Sequence, residues 1–181
     1  VSLDDSIKSI KDFSGKRIGI GRRSQTHWGL FTTKAIEVGN GVMDSKLEYL
    51  GNNAAMSALL DGRVDVAVAL TTNTADLKVV FPSGPVGKLN ASNRDYVNIP
   101  ISKAAASKVN KDLNAPFVSH VFPPGTVPKQ KDTLECMGDY AMLASHRNFP
   151  DDLAHGVTTA DLMVGDAAGK YLGGGKLYRR Q

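Results

Sequence analysis

Apolar and polar positions near the start of the chain follow a pattern that predicts a strand and then a helix. Ile18 and Ile20 lie two residues apart, the spacing of one face of a short buried strand. A second apolar series begins at Trp28 and continues at three- and four-residue steps to Val38. That spacing places its members on one face of a helix.

The polar segment between this strand and helix is the first candidate binding site. Arg22 contributes a cation, Gln25 an amide, and Ser24 and Thr26 a hydroxyl each. Either hydroxyl residue is an expected N-cap of the helix. The start of a helix has unpaired N–H groups and the positive end of a dipole, so the segment suits an anionic group. An ordinary strand-to-helix turn that binds nothing is the alternative interpretation.

The following segments continue the alternation of strands and helices. Residues 46–50 alternate as a second strand, Asn52 or Asn53 is the expected cap of a helix through Leu60, and residues 64–70 form an almost unbroken apolar run. This order predicts a right-handed parallel α/β unit whose third strand is buried on both faces. Ligands of such sheets bind at the carboxyl ends of the strands. Asn73, which follows the third strand, therefore joins the candidate site.

The remainder of the chain has a looser pattern. We expect a short helix at 76–81, a turn at 82–85, a strand at 96–99, a helix at 103–113 capped by Ser102, an extended segment at 116–121, a long strand at 134–145 and a helix from Pro150 to about residue 164. As domains, we predict a lead-in segment at 1–14, one α/β lobe at 15–165 and a flexible C-terminal tail at 166–181.

Composition narrows the function classes. The chain has 181 residues, enough for one full core, and a net charge of +4. Lysine and arginine residues are dispersed without interleaved aromatics, so no nucleic-acid partner is indicated. The single cysteine, Cys136, excludes an internal disulfide, and its apolar neighbours predict a small buried side chain. No apolar run is long enough to span a membrane.

No arrangement of residues predicts catalysis. The histidines lie far apart in sequence, at positions 27, 120, 146 and 155, and none belongs to a His-x-x-x-His motif. Gly19 and Gly21 lack the third glycine of the dinucleotide-binding fingerprint. We therefore expect no enzyme activity, no metal and no cofactor.

Several segments resemble a known family. Residues 10–21 and 54–68 resemble two segments of periplasmic-binding-protein-like domains. Residues 123–130 (Pro-Pro-Gly-Thr-Val-Pro-Lys-Gln), with residues 134–145 and 148–152, are similar to the second lobe of TAXI-type substrate receptors. Those receptors serve tripartite ATP-independent periplasmic (TRAP) transporters. The resemblance spans roughly residues 7–160 in the same order.

The resemblance implies a fold, a function and partners. The fold would be a single type II periplasmic-binding-protein-like lobe, with a mixed, mostly parallel sheet flanked by helices. The function would be capture of a small anionic solute, an amino acid or a dicarboxylate, in the periplasm or another extracytoplasmic space. The partners would be the membrane permease subunits and the family's first lobe, which this sequence does not contain.

The resemblance also implies site residues. Residues 24–26 fall where the family has Ser-Gly-Thr, so that Ser24 and Thr26 would help to hold a carboxylate, and Gln25 replaces the glycine. Thr126 falls in a Gly-Thr-Tyr segment that borders the cleft. Two other classes remain open: a ligand-sensing regulatory module that reuses this lobe, and an enzyme with the same fold.

Overall fold

The computed structural model describes residues 1–73, 79–140 and 144–168, and the side chains of the last helix as far as residue 160. The chain divides into two compact units, described separately below. The first contains Val1–Thr71 and Pro82–Asp139, and the second contains Thr72–Phe81 and Tyr140–Gln181.

A parallel three-stranded sheet forms the centre of the first unit. Its strands are β1 (Arg17–Ile20), β2 (Lys46–Tyr49) and β3 (Val66–Ala67), in the order β2-β1-β3. Helical segment 26–39 leads from β1 to β2, and α2 (Asn52–Leu60) leads from β2 to β3. The mixed α/β fold and its parallel sheet flanked by helices agree with the sequence-based prediction.

Strands β1 and β3 are buried because apolar residues pack against both of their faces. Ile18, Ile20 and Val66 lie in one apolar cluster, which also contains the following residues: Ile7, Ile10, Phe13, Ile36 and Val42. Ala67 belongs to a second cluster with Met56 and Leu59 of α2. A Cβ atom built on Gly19 would lie 3.2 Å from the Cβ of Ala55, so this glycine allows α2 to pack closely on β1.

Segment 26–39 is an irregular helix. It consists of a π-helical turn at Thr26–Phe31, a short α-helical stretch α1 (Thr32–Lys34) and a second π-helical turn at Ala35–Gly39. The buried residues are concentrated near its end, at Ala35, Ile36 and Gly39. Gly39 packs on Ala105, where an added Cβ would be 3.1 Å from the alanine Cβ.

The rest of the first unit consists of two helices and a hairpin. These elements are α3 (Gly84–Ala91), α4 (Lys103–Leu113), β6 (Val118–Phe122) and β7 (Leu134–Gly138), and β6 pairs with β7 in antiparallel register. Helix α3 packs on α2, whereas α4 packs on residues 35–39 and on the hairpin. Ser102 caps α4, as predicted, because its side chain accepts a hydrogen bond from the Ala105 N–H.

The second unit contains most of a two-stranded sheet, β4 (Thr71–Asn73) with β5 (Val80–Pro82), and helix α5 (Asp151–Ala168). The predicted helix from Pro150 is confirmed, and it continues beyond residue 164. Of the predicted tail at 166–181, the first residues lie in α5, and residues 169–181 lie outside the described part of the chain.

Several predicted boundaries are wrong. The apolar run at 64–70 pairs only at Val66–Ala67. The predicted strand at 96–99 is reduced to a single bridge between Val97 and Ser2. The strand predicted at 134–145 ends at Gly138, and residues 141–143 are not described.

The segment from 76 to 91 also differs from its prediction. Residues 80–82 form β5 instead of the end of a helix, and residues 76–78 are not described. The expected turn at 82–85 instead contains the last residue of β5 and the start of α3, with Pro85 in the first helical turn, where a helix tolerates proline.

Candidate functional site

The carboxyl ends of the parallel strands lie beside a tightly closed loop, residues 21–25. β1 is the central strand of the sheet, and ligands of open α/β sheets bind at the carboxyl ends of the strands. The end of β2 is joined to β1 here, since the N–H groups of Leu50 and Gly51 both donate to the Ile20 carbonyl at 3.1 Å.

Backbone hydrogen bonds close the loop onto the start of the following helix. The Gly21 N–H donates to the Trp28 carbonyl at 2.7 Å, and the Gln25 N–H donates to the Arg22 carbonyl at 2.9 Å. The chain passes so near itself that a Cβ atom on Gly29 would lie 2.2 Å from the Arg22 carbonyl oxygen. The loop geometry therefore depends on glycine at this position.

Gln25, not Ser24 or Thr26, is the N-cap residue of the π-helical turn at Thr26–Phe31, so the predicted caps are wrong. The backbone carbonyl of Gln25 accepts from Gly29 N–H at 2.8 Å and from Leu30 N–H at 3.2 Å. Its side chain folds back into the loop, where Oε1 accepts from the Arg22 N–H at 2.8 Å and Nε2 donates to Asn52 Oδ1 at 3.3 Å.

Three predicted site residues present their side chains outward from this loop. Arg22, Ser24 and Thr26 are all exposed. Within the described residues, none of the three side chains makes a hydrogen bond or an ion pair. One guanidinium and two hydroxyl groups are thus available to a ligand at the end of β1.

The Arg22 side chain lies against the start of α2. A Cβ atom built on Gly51, the N-cap residue of α2, would be 3.5 Å from Arg22 Nε. Gly51 has φ +85°, and no side chain caps the helix, so neither Asn52 nor Asn53 is the cap that the sequence predicted. The uncapped N–H groups add partial positive charge beside the Arg22 guanidinium.

The neighbouring residues Arg23 and His27 have structural partners that the sequence did not reveal. The Arg23 guanidinium stacks 3.9 Å from the ring centroid of Tyr49, at the end of β2. His27 Nε2 lies 2.9 Å from Asp139 Oδ2, a contact across 112 residues of sequence. Arg23 and His27 are thus engaged within the protein, and Arg22 is the cation of the loop whose side chain has no described hydrogen bond or ion pair.

Thr126 is not joined to this loop by any hydrogen bond or ion pair that the structure describes. The Thr126 hydroxyl donates to the Pro123 carbonyl at 2.7 Å, within its own turn. That turn is stabilised by the buried side chain of Gln130, whose Oε1 accepts from the Val127 N–H at 3.0 Å. Asn73 lies on β4, in the second unit.

The described residues contain no group of three or more His, Cys, Asp or Glu side chains placed to hold a metal ion. Cys136 is partly buried on β7, and desolvation raises the pKa of its thiol to about 11. At the amino ends of the strands, Arg17 contacts Asp65 at 2.7 Å, and this hydrogen bond lowers the pKa of the Asp65 carboxyl.

Comparison with known proteins identifies the family. The model of the NMT1-like family, a periplasmic-binding-protein-like family, matches residues 1–162. The chain therefore belongs to the NMT1-like family, which indicates a protein that binds a solute or another ligand. No curated protein matches the chain. Within the described residues, no helix is both long enough and apolar enough to cross a bilayer.

Proposed function

We propose that this chain binds a small anionic solute, an amino acid or a dicarboxylate, at loop 21–25. The observation that carries the proposal is the exposed Arg22 side chain, which lies against the uncapped start of α2 at the carboxyl end of β1. A carboxylate beside it would receive a charge-assisted hydrogen bond from the guanidinium. Ser24 and Thr26 would donate hydroxyl hydrogen bonds to the same group.

We further propose a place for this binding in transport. The segments that resemble TAXI-type receptors support the interpretation of the chain as the second lobe of a type II receptor for a TRAP transporter. The solute would be enclosed when a first lobe closes over loop 21–25, because burial of most of a ligand requires two walls. The receptor would act in the periplasm or another extracytoplasmic space, deliver the solute to membrane permease subunits and catalyse no reaction.

Calorimetry on the protein encoded by the complete reading frame tests the proposal. Amino acids and dicarboxylates are titrated into the wild type and into Arg22→Ala. We expect one of these solutes to bind, and Arg22→Ala to weaken its binding by about 1–3 kcal/mol, the contribution of a hydrogen bond to a charged group.

The matched control is Arg63→Ala. It removes the same charge from an exposed side chain whose partner is Asp61, at 3.1 Å, outside the loop. We expect its affinity to equal that of the wild type. The proposal fails if no solute binds to the folded protein, or if Arg22→Ala and Arg63→Ala bind equally well. A signalling or DNA-binding domain in the same reading frame would instead favour a sensor.

A further inference from the structure

We propose that the Gln25 side chain acts as an internal ligand of loop 21–25, and that it keeps a solute carboxylate from the backbone amide of Arg22. This inference rests on the proposed function, because it concerns how the same loop receives an anion. It makes Gln25 a residue that lowers the affinity of the loop for carboxylates.

The amide oxygen of Gln25 occupies the position that a carboxylate oxygen would take. Gln25 Oε1 accepts from the Arg22 N–H at 2.8 Å, and a Cβ atom built on Gly21 would lie 2.8 Å from the same oxygen. The oxygen is thus held directly against the backbone at the end of β1. A carboxylate oxygen that approached the Arg22 N–H would need this position.

The nitrogen of the Gln25 amide is also hydrogen-bonded. Gln25 Nε2 donates to Asn52 Oδ1, in the first turn of α2, at 3.3 Å. The side chain is half-buried, whereas its neighbours Arg22, Ser24 and Thr26 are exposed. Gln25 therefore joins the two segments that would surround a bound carboxylate, the loop after β1 and the start of α2.

A carboxylate would have to displace the Gln25 amide to reach the Arg22 N–H. At the same N–H group, a charged carboxylate oxygen is a stronger acceptor than the neutral amide oxygen of Gln25. This gain is opposed by the bonds that the amide would lose. Displacement of Gln25 by a carboxylate costs the two hydrogen bonds of the amide. In the wild type, a carboxylate is thus bound through the side chains of Arg22, Ser24 and Thr26, without the Arg22 amide.

The experiment is an acetate titration of the ¹⁵N-labelled chain, monitored at the Arg22 amide resonance. Acetate is the smallest carboxylate probe, and it requires no knowledge of the natural solute. In the wild type, we expect the Arg22 amide hydrogen to be protected from exchange with solvent, and its resonance to shift little when acetate is added. In Gln25→Ala, we expect loss of that protection and a Kd for acetate about tenfold lower, the effect of one additional charged hydrogen bond.

Two further variants sharpen the result. Gln25→Glu retains the shape of the side chain and adds a negative charge, so its Kd for acetate should exceed that of the wild type. Asn98→Ala removes an amide that donates to the Pro128 carbonyl, away from the loop, and should match the wild type. A native amide spectrum for each variant shows that the fold is retained.

The outcomes separate this inference from the proposed function. The inference is overturned if Gln25→Ala and the wild type bind acetate equally, or if the Arg22 amide is equally protected in both. It stands if Gln25→Ala binds acetate more tightly, even where calorimetry finds no solute for the wild type and the proposed function fails. A solute that binds to the wild type, without any effect of Gln25→Ala on acetate binding, supports the function alone.

Discussion

Asp65 illustrates how a single side chain joins two strands at their amino ends. Its carboxylate accepts from the Arg17 backbone N–H at 2.8 Å, and from Arg17 Nε and Nη2 at 3.2 and 2.7 Å. The hydrogen bond from the Arg17 side chain is the main cause of the lowered pKa of Asp65. A group with a lowered pKa in the folded state stabilises that state when it is ionised.

Replacement of Asp65 by Asn should therefore make stability less dependent on pH. At neutral pH, above the ordinary carboxyl pKa of 3.8, the pair contributes fully, and Asp65→Asn should unfold at a lower urea concentration than the wild type. The difference between the urea midpoints of the wild type and Asp65→Asn should decrease as the pH falls through the lowered pKa of Asp65 in the folded state, because the wild-type carboxyl is then protonated. Urea unfolding of both proteins at about pH 7 and about pH 3 measures this difference.

The control for this experiment is Asp61→Asn, since Asp61 pairs with Arg63 at 3.1 Å and both side chains are about 60% exposed (60% and 62%). Exposed pairs contribute little to stability. Equal urea midpoints for Asp65→Asn and the wild type at neutral pH would contradict the assigned role of the pair.

Gly29 should not tolerate alanine. The added Cβ would lie 2.2 Å from the Arg22 carbonyl oxygen, a backbone atom that cannot rotate away. We expect Gly29→Ala to lower the free energy of unfolding by about 2–3 kcal/mol, the effect of overpacking. Chemical denaturation measures the change.

Gly87→Ala is the matched substitution, because a Cβ atom there has no neighbour within 4 Å and the residue lies inside α3. Alanine in a helix interior is favoured over glycine by about 0.5–1 kcal/mol. A stability loss for Gly87→Ala equal to that for Gly29→Ala would show that the Arg22 carbonyl is not the cause.

The sequence indicated the chemistry of individual residues better than their contacts. Arg22, Ser24 and Thr26 were predicted as polar groups after a strand, and the structure places them together and exposed. The role of Gln25 as N-cap was not predictable from its residue type, since glutamine is not a preferred cap. The contact between His27 and Asp139 depends on tertiary packing across the first unit, which no local pattern encodes.

At the scale of elements, α4 shows how local sequence can fix a helix boundary. Ser102 accepts from the Ala105 N–H at 3.2 Å, and Glu135 Oε2 accepts from the Lys103 N–H at 2.9 Å. These two acceptors satisfy N–H groups that have no partner within the helix. The start of α4 is thus defined by one local and one distant side chain.

Ser102→Ala should lower the free energy of unfolding by about 1 kcal/mol, the usual contribution of an N-cap. Ser107→Ala, on the exposed part of the same helix, serves as its control and should change stability by less than about 0.5 kcal/mol. Thermal unfolding of both variants provides the measurement. Equal changes in stability for Ser102→Ala and Ser107→Ala would mean that the Glu135 contact alone stabilises the start of α4.

Elements with a clear period and a local stop signal were predictable, and those shaped by packing were not. Strands β1 and β2 lie where the apolar spacing predicted them, and helices α2, α4 and α5 lie where capping residues and other helix signals predicted them. Segment 26–39 is π-helical over most of its length, which its amphipathic pattern did not indicate. Helix α3 was missed because a proline-rich start is typical of both turns and helices.

At the scale of the whole molecule, the order β2-β1-β3 places the loop after β1 at the carboxyl end of the central strand. The loop after the central strand and the start of α2 meet at the same edge of the sheet, while the Arg17–Asp65 pair lies at the other edge. From the alternation of strands and helices, the sequence predicted that the turn after β1 lies at the carboxyl ends of the strands, but it predicted neither the contact with the start of α2 nor the Arg17–Asp65 pair. It also predicted a binding-protein family, and the match over residues 1–162 places the chain in one.

Cys136 gives the chain a practical property for labelling studies. It is the single cysteine of the sequence, and its thiol has a pKa of about 11. The thiolate is the form that reacts with maleimides and similar reagents, and burial raises the pKa of Cys136, so at pH 7 a much smaller fraction of it is thiolate than of an exposed thiol with an ordinary pKa. A fluorophore directed to a cysteine introduced at an exposed position of loop 21–25 would therefore attach there selectively, without prior removal of the native thiol.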